Sequence, residues 1–480
     1  MYKATAFIGG VEVSCDEIQI ISPIDGQVVG TIPALSEQHI EEAFSSAREA
    51  FDKWKRVDYK TRIKYLLSFA AKLRENMFAL SQILNLEIGK DMKSANDEIM
   101  RSYDYIVEST HAYADLIERA DEYNHNNNIL VPKDIHATYI RVPLGVALTI
   151  SPFNYPVNLM ITKIVPAILS GNTVVHKSAT NGSLCGWYIA KLFHETTVDG
   201  FLATPGIFNY VTGRGSEIGK WIIKHQNVDA FSFTGSTDVG RSIVVGLPDG
   251  IPVQMELGGH NPAIVFDDAD LDLAVQEVIK GAFSFSGQRC TSIKRLFVHK
   301  KIYADVLEKL KVAVFEVQLK EPLINKKVVE ELKIAYKDAL DKGAQLIGGS
   351  LTVDGNFVSP VVFAGVSEGM KLFNEEVFAP VLAITPFEEE DELVKFCNDS
   401  KFGLQSAIFT KNIERATDLA LKLEFGRVNI NTLPARSPDV LPFGGIKASG
   451  CGLQSIKDSL LFFTSAKGIV LKVLEEERRE

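Results

Sequence analysis

The stretch between residues 142 and 264 alternates between strand-like and helix-like sequence. Its short runs rich in β-branched and aromatic residues are 146–150, 173–176, 206–211, 230–234 and 253–257, and segments of helical character separate them. Strands that alternate with helices indicate βαβ units, which build a parallel sheet. A second stretch of the same kind runs from about residue 261 to residue 431. The chain is therefore predicted to be an α/β protein.

Three segments with a helical pattern precede this region. Apolar residues recur at the helical period from Ser36 to Trp54, again over residues 61–86, and again over residues 94–120. The first 35 residues are predicted to form short strands with turns. A polar, Asn-rich segment at 121–128 is predicted to be a turn or an excursion of the chain, and residues 129–141 to form two short strands.

Length and composition exclude several classes of protein. A chain of 480 residues suits two or three domains, and 46% apolar with 23% charged residues is ordinary for a globular protein. The net charge of −10, with no dense basic cluster, argues against nucleic-acid binding. No segment is apolar enough to span a bilayer, and the N-terminus lacks a signal-peptide pattern, so we expect no membrane partner and a cytoplasmic location. The five scattered cysteines form no CxxC pair, so neither a disulfide framework nor a metal site is expected.

Cys290 lies in the segment Phe-Ser-Phe-Ser-Gly-Gln-Arg-Cys-Thr, residues 283–291. An isolated cysteine is more often a buried apolar side chain than a nucleophile. Here Gly287 permits close approach of the backbone, and Arg289 places a positive charge beside the sulfur. Positive charge favours the reactive thiolate, so Cys290 is a candidate nucleophile.

Two other polar side chains follow predicted strands. Glu256 stands between Met255 and Leu257 at the end of an apolar run, where apolar surroundings would raise the pKa of a general base; the alternative is a solvent-facing carboxylate. Asn154 lies in a loop held by two prolines, where its amide could serve as a hydrogen-bond donor; the alternative is an asparagine that completes a turn.

A glycine-rich turn follows the predicted strand at 230–234. The sequence Phe-Thr-Gly-Ser-Thr-Asp-Val-Gly, residues 233–240, ends a strand and begins a helix. Backbone N–H groups at such a turn can bind a diphosphate, although this is not the GxGxxG pattern.

Taken together and in order, these pieces resemble the aldehyde dehydrogenase superfamily over nearly the whole chain. The matching segments are residues 151–156, 234–237, 256–259, 287–290, 374–380 and 442–450. The resemblance implies a Rossmann-type cofactor domain, an α/β catalytic domain and a small β oligomerisation arm, assembled as a homodimer or homotetramer. We expect the cofactor domain at 1–118 and 142–248, the catalytic domain at 249–446, and the arm at 119–141 and 447–480.

The resemblance also implies a mechanism for NAD(P)-dependent oxidation of an aldehyde to a carboxylic acid. Cys290 attacks the carbonyl, the amide of Asn154 and the backbone N–H of Cys290 stabilise the oxyanion, and Glu256 activates the water that hydrolyses the thioester. In the family, the residue matching Glu376 holds the nicotinamide ribose and the residue matching Phe378 packs near the ring. The expected cofactor-binding residues are Ile150, Ser151, Pro152, Lys177, Thr180, Gly213, Gly235, Ser236, Val239, Leu257, Glu376 and Phe378.

Cofactor choice is partly readable from the segment around Thr180. Relatives that prefer NAD commonly carry Glu at this place, where the carboxylate binds the ribose hydroxyls and repels a 2′-phosphate. This chain has a neutral Thr180 with Lys177 nearby. The sequence therefore predicts NADP as the cofactor, with NAD also possible.

The substrate-binding residues resemble those of the non-phosphorylating glyceraldehyde-3-phosphate dehydrogenase subgroup. Arginines and a tyrosine at matching places bind the substrate phosphate there, and arginine meets phosphate oxygens bidentately. The corresponding residues here are Arg101, Tyr155, Arg289 and Arg436. The chain departs from the subgroup at 178–179, 377–379 and 444–445, which leaves lactaldehyde or succinate semialdehyde open as substrates.

Three other functions compete with this prediction. An acylating, coenzyme-A-dependent relative typically lacks the general base, and Glu256 argues against it. A non-enzymatic protein that reuses the fold should have lost at least one of the three catalytic residues. A thiol hydrolase needs a histidine beside the cysteine, and His260 or His299 would have to supply it.

Overall fold

The structure is a computed structural model that describes residues 1–118, 121–123, 127–128 and 130–473. The helices are α1 (Glu37–Trp54), α2 (Tyr59–Glu75), α3 (Met77–Ile88), α4 (Met92–Glu118), α5 (Pro156–Leu169), α6 (Ser183–His194), α7 (Gly215–Ile223), α8 (Thr237–Val244), α9 (Leu271–Phe283), α10 (Tyr303–Phe315), α11 (Lys326–Asp341), α12 (Lys371–Asn374), α13 (Glu390–Asn398), α14 (Ile413–Lys422) and α15 (Ile456–Phe462). A short 3-10 helix spans Lys300–Ile302, and Ser284–Gly287 form a tight turn with non-helical backbone angles at Phe285 and Ser286.

The strands are β1 (Tyr2–Lys3), β2 (Ala6–Ile8), β3 (Val11–Val13), β4 (Glu17–Ile21), β5 (Val28–Pro33), β6 (Asp121–Tyr123), β7 (Ile135–Pro143), β8 (Val146–Ser151), β9 (Thr173–Ser178), β10 (Thr197–Val198), β11 (Phe201–Leu202), β12 (Phe208–Val211), β13 (Ala230–Thr234), β14 (Val253–Glu256), β15 (Asn261–Val265), β16 (Ile293–His299), β17 (Gln345–Gly348), β18 (Val353–Asp354), β19 (Phe357–Val358), β20 (Val361–Ala364), β21 (Val381–Phe387), β22 (Phe402–Gly403), β23 (Gln405–Phe409), β24 (Arg427–Ile430), β25 (Ile446–Lys447), β26 (Gly450–Cys451) and β27 (Thr464–Lys472).

An eight-stranded sheet forms the first large unit, in the order β26-β14-β13-β8-β9-β12-β2-β3. Its five central strands, β14, β13, β8, β9 and β12, are parallel, as the βαβ pattern predicts. Successive side chains of a strand point to opposite faces, so Leu148 and Phe231 pack into one core while Ala147 and Ala230 pack into the other. The sheet is thus buried on both faces.

A seven-stranded sheet forms the second unit, in the order β17-β20-β21-β16-β15-β23-β24. Apart from the antiparallel edge strand β17, its strands are parallel. Helices α9 and α10 cover one face, and α11 and α13 cover the other. The predicted second α/β stretch is confirmed.

A three-stranded antiparallel sheet joins β6, β7 and β27. Strands β7 and β27 pair over nine residues, from Thr464 with Pro143 to Lys472 with Ile135. The predicted turn at 121–128 is wrong for Asp121–Tyr123, which is strand β6, and the two short strands predicted at 129–141 are one strand, β7. Local polarity suggested turns here, but the ladder to a distant segment decides the structure. Residues 119–120, 124–126 and 129 of this stretch lie outside the described residues.

Two further predictions differ from the structure. The helix expected at 61–86 is interrupted at Asn76, whose side chain bonds the backbone oxygen of Lys72 at 2.8 Å and ends α2. Strand β14 (Val253–Glu256), expected in the second unit, pairs within the first sheet, and β26, expected in the arm, pairs with β14. Sheet membership depends on hydrogen bonds between distant segments, which a boundary drawn from local composition does not contain. No helix within the described ranges is long and apolar enough to cross a membrane.

Candidate active site

The carboxyl ends of the five central parallel strands meet at one edge of the first sheet. Ligands of open α/β sheets bind in the crevice outside this edge. The expected cofactor residues follow the strands in turn: Ile150, Ser151 and Pro152 at β8, Lys177 and Thr180 at β9, Gly213 at β12, Gly235, Ser236 and Val239 at β13, and Leu257 at β14. The topology therefore brings these residues to one edge, although the first and the last of them are more than a hundred positions apart in the sequence.

The loop before Cys290 has an unusual backbone. After α9, Phe285 and Ser286 both have φ of 51°, and Gly287 has φ of 70°. Residues other than glycine pay about 1–3 kcal/mol each for this left-handed conformation, which is common at functional sites. Gln288 anchors the loop because its side chain bonds the backbone of Pro322 at 3.0 Å and of Ile324 at 2.9 Å. We call residues 284–290, which include the candidate nucleophile Cys290, the nucleophile loop.

The thiol of Cys290 donates to Oε1 of Glu256 at 3.0 Å. Burial, and then the neighbouring Glu256 carboxylate, raise the pKa of Cys290 well above its ordinary value. The expectation that Arg289 favours the thiolate is not supported, since the Arg289 guanidinium bonds Thr291 and the carbonyl of Pro434. The carboxylate is placed to take the proton of the thiol.

Asn154 joins the loop after β8 to the nucleophile loop. Its side-chain amide donates to the carbonyl oxygen of Gln288 at 2.9 Å. The backbone carbonyl oxygen of Asn154 accepts from Lys90 Nζ at 2.7 Å, and Lys90 is ion-paired with Glu98 in the interior. Glu98 in turn accepts from the backbone N–H of Val157, at the start of α5. The position of Asn154 is thus fixed from both sides.

A pair of glycines lets three functional segments approach one another. A Cβ atom on Gly259 would stand 2.3 Å from the carbonyl oxygen of Cys290, and one on Gly258 would stand 2.3 Å from Oε2 of Glu376. The backbone N–H of Gly259 also donates to Oε1 of Glu376 at 3.1 Å. Burial raises the pKa of Glu376 to about 7. A side chain at position 259 would displace the backbone at Cys290, and one at position 258 would displace the carboxylate of Glu376.

The expected substrate residues form a connected network of charges. Arg436 is buried and donates to Oε2 of Glu256 at 2.6 Å, and its Nε lies 3.4 Å from Asp439. Arg101 makes a bidentate pair with Asp439 at 2.7 and 2.8 Å. The carboxylates of Glu256 and Asp439 outweigh the effect of burial and raise the pKa of Arg436 above its ordinary value. Arg101 and Arg436 are therefore brought together through a shared acidic partner.

Tyr155 and Arg289 border this network. The ring of Tyr155 lies 3.7 Å from Lys90 Nζ and packs edge-on against Phe285 of the nucleophile loop, with ring centroids 6.2 Å apart. Arg289 reaches the carbonyl of Pro434, two residues before Arg436. Phe378 packs edge-on against Phe153, one residue before Asn154, at 6.1 Å.

We call the edge of the first sheet at which its central parallel strands end the cofactor edge. Its polar groups suit the phosphates of a dinucleotide cofactor. Helix α8 begins after the glycine turn at 235, and the side chain of its N-cap residue Ser236 makes no capping hydrogen bond. The first-turn N–H groups therefore remain available for an anion. Lys177 is buried, donates to the carbonyl of Ser178 at 2.9 Å, and has its pKa lowered to about 8 by burial. Thr180 is half-buried beside it.

Sequence reasoning missed three buried lysines around the site: Lys90, Lys163 and Lys294. Lys163 donates to the hydroxyl of Thr234 at 2.7 Å, and burial lowers its pKa to about 7. The signal that could have found it is a charge inside the otherwise apolar run of α5, because a buried lysine must be paired or hydrogen-bonded. Lys90 and Lys294 carry no comparable signal, because their segments contain other charges.

The alternative of a cysteine–histidine pair finds no support. The hydrogen-bond partner of the Cys290 thiol is a carboxylate, whereas His260 packs against Phe402 and His299 accepts from the backbone of Lys301. Within the described part of the chain, no group of three or more His, Cys, Asp or Glu side chains could hold a metal ion.

These features define the class of protein to which the chain belongs. The model of the aldehyde dehydrogenase family matches residues 11–469. The chain belongs to this family and is an oxidoreductase that acts on aldehydes.

Two relatives and one solved structure are similar to this chain over nearly its whole length. The chain is 37% identical to NADP-dependent glyceraldehyde-3-phosphate dehydrogenase of Streptococcus equinus over 97% of this chain and 98% of the relative. It is 32% identical to 3-sulfolactaldehyde dehydrogenase of Pseudomonas putida over 98% and 97%. Among solved structures, NADP-dependent glyceraldehyde-3-phosphate dehydrogenase of Bacillus halodurans C-125, complexed with NADP, superposes with a TM-score of 0.95 at 37% identity, covering 99% of this chain and all of that one.

Proposed function

We propose that the protein oxidises an aldehyde to a carboxylic acid with NADP, using Cys290 as the nucleophile. The observation that carries the proposal is the bond from the Cys290 thiol to Glu256 at 3.0 Å, beside an asparagine amide fixed on the same loop. A thiol, a base and an amide donor are the three groups that acyl chemistry on a cysteine needs.

The mechanism begins with transfer of the thiol proton of Cys290 to Glu256 as the sulfur attacks the carbonyl carbon. The Asn154 amide has two N–H groups, so its bond to Gln288 leaves one for the developing oxyanion, which the backbone N–H of Cys290 also meets. When bound, NADP supplies the hydride acceptor that makes a thioester from the tetrahedral adduct. Glu256, once deprotonated again, takes a proton from the water that cleaves the thioester and releases the acid.

The NADP assignment rests on the sheet edge. The backbone N–H groups at the start of α8 would bind the diphosphate, and Lys177 and Thr180 would donate hydrogen bonds to the 2′-phosphate. Glu376 would hold the nicotinamide ribose. Two of the similar proteins are named as NADP-dependent, which supports this choice over NAD.

The substrate we propose is glyceraldehyde 3-phosphate, oxidised to 3-phosphoglycerate. The support is Arg436, which bonds Glu256, and Arg101, which shares the carboxylate of Asp439 with Arg436, together with the relatives named for that substrate. The Pseudomonas relative is named for 3-sulfolactaldehyde, which is also an anionic aldehyde. Lactaldehyde and succinate semialdehyde are the competing substrates.

We also propose a homodimer or homotetramer. Strand β27 pairs with β7 on one side, and its side chains Ile469, Val470 and Leu471 are 56%, 63% and 59% exposed. An exposed apolar edge strand is a ready surface for pairing with a second copy. Cytoplasmic location stays a prediction from the sequence.

A steady-state assay tests the function, with ultraviolet absorbance of the reduced cofactor as the signal. NADP and NAD are each crossed with glyceraldehyde 3-phosphate, lactaldehyde and succinate semialdehyde, without phosphate or coenzyme A. We expect the fastest reduction with NADP and glyceraldehyde 3-phosphate.

The other outcomes are distinguishable. Activity only with an unphosphorylated aldehyde would overturn the proposed substrate and leave the mechanism standing. A requirement for added coenzyme A would indicate the acylating reaction. No reduction with any pair would overturn the proposed function.

A further inference from the structure

Lys294 is a buried cation that the proposed mechanism does not use. It lies in strand β16, four residues after Cys290, and is 3% exposed. Its Nζ donates to the carbonyl oxygen of Gly287 at 2.8 Å and to that of Ala379 at 2.8 Å. The first carbonyl belongs to the nucleophile loop, and the second lies one residue after Phe378. One ammonium group therefore bonds both segments that border the reacting atoms.

The surrounding backbone is shaped around this contact. A Cβ atom on Gly287 would stand 2.4 Å from the carbonyl oxygen of Ala379 and 2.9 Å from Lys294 Nζ. Because Gly287 also has a left-handed φ of 70°, glycine alone lets the loop, the ammonium and the Ala379 carbonyl converge. The Ala379 carbonyl also accepts the backbone N–H of Val381, but Lys294 is a donor to both carbonyls and so links the two segments.

A carboxylate lies near the same ammonium. Glu376, three residues before Ala379, is the main opposing charge for Lys294, while the nearby Arg289 disfavours the charged form. Burial, partly offset by Glu376, lowers the pKa of Lys294 to about 7. Lys294 thus interacts with the segment of Glu376 and Phe378 in two ways: it donates a hydrogen bond to the Ala379 carbonyl, and its positive charge attracts the carboxylate of Glu376.

We propose that Lys294 is a positioning residue that ties the nucleophile loop to the segment of Glu376 and Phe378. The inference rests on the proposed function, in which the loop carries the nucleophile and the segment holds the nicotinamide ribose. If the tie is lost, the two segments relax independently. One substitution should then weaken NADP binding and slow turnover together, although Lys294 touches neither reacting atom.

The neighbouring Arg295 provides a matched control. It is also buried, stands on the same strand, and donates to two carbonyls, those of His260 and Phe396. Neither acceptor belongs to the nucleophile loop or to the segment of Glu376. Arg295→Met therefore removes a similar buried cation but keeps both hydrogen bonds from Lys294, to the carbonyls of Gly287 and Ala379.

The experiment compares Lys294→Met, Lys294→Arg and Arg295→Met with the parent enzyme. For Lys294→Met we expect the Kd for NADP, measured by calorimetry without aldehyde, to rise about tenfold and kcat to fall about tenfold, since the Gly287 carbonyl loses the donor that Lys294 supplies and the Ala379 carbonyl keeps only the backbone N–H of Val381. Lys294→Arg keeps the charge and several donors, so it should recover most of both values. Arg295→Met should lower Tm and leave Kd and kcat within about twofold.

A second readout does not depend on turnover. Alkylation of Cys290 by iodoacetamide, followed by peptide mass spectrometry with Cys15 as the internal reference, reports the order of the nucleophile loop. In Lys294→Met the burial that raises the pKa of Cys290 is reduced, so alkylation should become faster relative to Cys15. In Arg295→Met the ratio should stay unchanged.

The inference is overturned if Lys294→Met lowers Tm but keeps the parent Kd, kcat and alkylation ratio. If that variant does not fold, Lys294→Gln is judged by the same measurements and with the same two outcomes. A parent enzyme that oxidises no aldehyde would overturn the proposed function instead, while calorimetry and alkylation would still decide the role of Lys294.

Discussion

The cofactor edge and the charge network beside it are built in different ways. At the edge, each functional residue lies within a few positions of the strand that presents it, as Lys177 does for β9 and Ser236 for β13. In the network, the partners come from distant parts of the chain: Arg101 and Asp439 are 338 positions apart, and Glu256 and Arg436 are 180. Short motifs therefore determine the first region, while the assembled fold determines the second.

Glu256 belongs to both regions. One carboxylate oxygen accepts from the Cys290 thiol and the other from Arg436. The Cys290 thiol is thereby linked to the charge network through the carboxylate of Glu256. A substitution at either Cys290 or Arg436 should therefore change the hydrogen bonding of that carboxylate. Substitutions chosen from each region test this difference.

The largest effect is expected at Cys290, in the nucleophile loop, which is bonded to Glu256 at the end of β14. Cys290→Ala removes the nucleophile, so kcat for aldehyde oxidation should fall by about 10⁴ or more, while NADP binding by calorimetry is retained. Cys451→Ala is the matched control, since Cys451 is exposed and its sulfur lies against the carbonyl of Val253. Residual turnover near the parent value in Cys290→Ala would refute the thioester mechanism.

The next effect tests the charge network at Arg436. Arg436→Met leaves Glu256 without its buried partner and removes one candidate phosphate ligand, so kcat/KM for glyceraldehyde 3-phosphate should fall by about 10² or more. For uncharged lactaldehyde the loss should be at least about tenfold smaller, because only the effect on Glu256 remains. Arg415→Met, which breaks the ion pair with Asp268 in the second unit, serves as the control.

The two substrates separate the roles of Arg436. Equal losses for both aldehydes would mean that Arg436 acts only by holding Glu256, and the anion site would have to be sought elsewhere. A loss confined to the phosphorylated aldehyde would mean that the Glu256 pair has no part in the reaction.

A smaller effect is expected at Thr180, on the cofactor edge. Thr180→Glu places a carboxylate where the 2′-phosphate is proposed to lie, so the ratio of kcat/KM for NADP over NAD should fall about tenfold or more. Thr180→Gln has a similar shape without the charge and should change the ratio far less. If both variants behave alike, the selectivity comes from size at this position rather than from charge.

The sequence predicted the two regions unequally, for a physical reason. The strands at 146–150 and 230–234, the glycine turn and the separate candidates Cys290, Glu256 and Asn154 follow from periodicity and short motifs, and the family resemblance joins the three candidates into one mechanism. The arginines could be named only through resemblance, and their internal partner Asp439 could not be named. Lys90 and Lys294 were missed because burial is a property of the packed fold, and a lysine among other charges looks alike in sequence whether buried or exposed, whereas Lys163 could have been found as the one charge in α5. The same limit explains strand β6, a polar segment that pairs with β7 in a sheet completed by the distant strand β27.

The smallest effect concerns another long-range contact, between Glu321 and Asp91. Ser286 of the nucleophile loop donates to the backbone oxygen of Glu321 at 2.6 Å, and the Glu321 side chain shares a hydrogen bond with Asp91. Burial, followed by the contact with Asp91, raises the pKa of Glu321 from 4.5 to about 7. The folded chain therefore holds a proton that the unfolded chain loses above about pH 4.5, and stability falls as the pH rises from there to about 7.

Glu321→Gln should remove this pH dependence, because the amide still donates to Asp91 and does not titrate. We expect the Tm of the variant to match the parent near the acid end of that window and to exceed it by about 1–2 °C above pH 7, which corresponds to about 1 kcal/mol after allowing for partial solvent screening. Glu316→Gln, at an exposed position five residues earlier, should leave the parent curve unchanged. If the curves of Tm against pH are parallel for Glu321→Gln and the parent, Glu321 does not hold an additional proton in the folded protein. In that case the coupling between distant charges and the nucleophile loop would be confined to the Arg436–Glu256 side of the site.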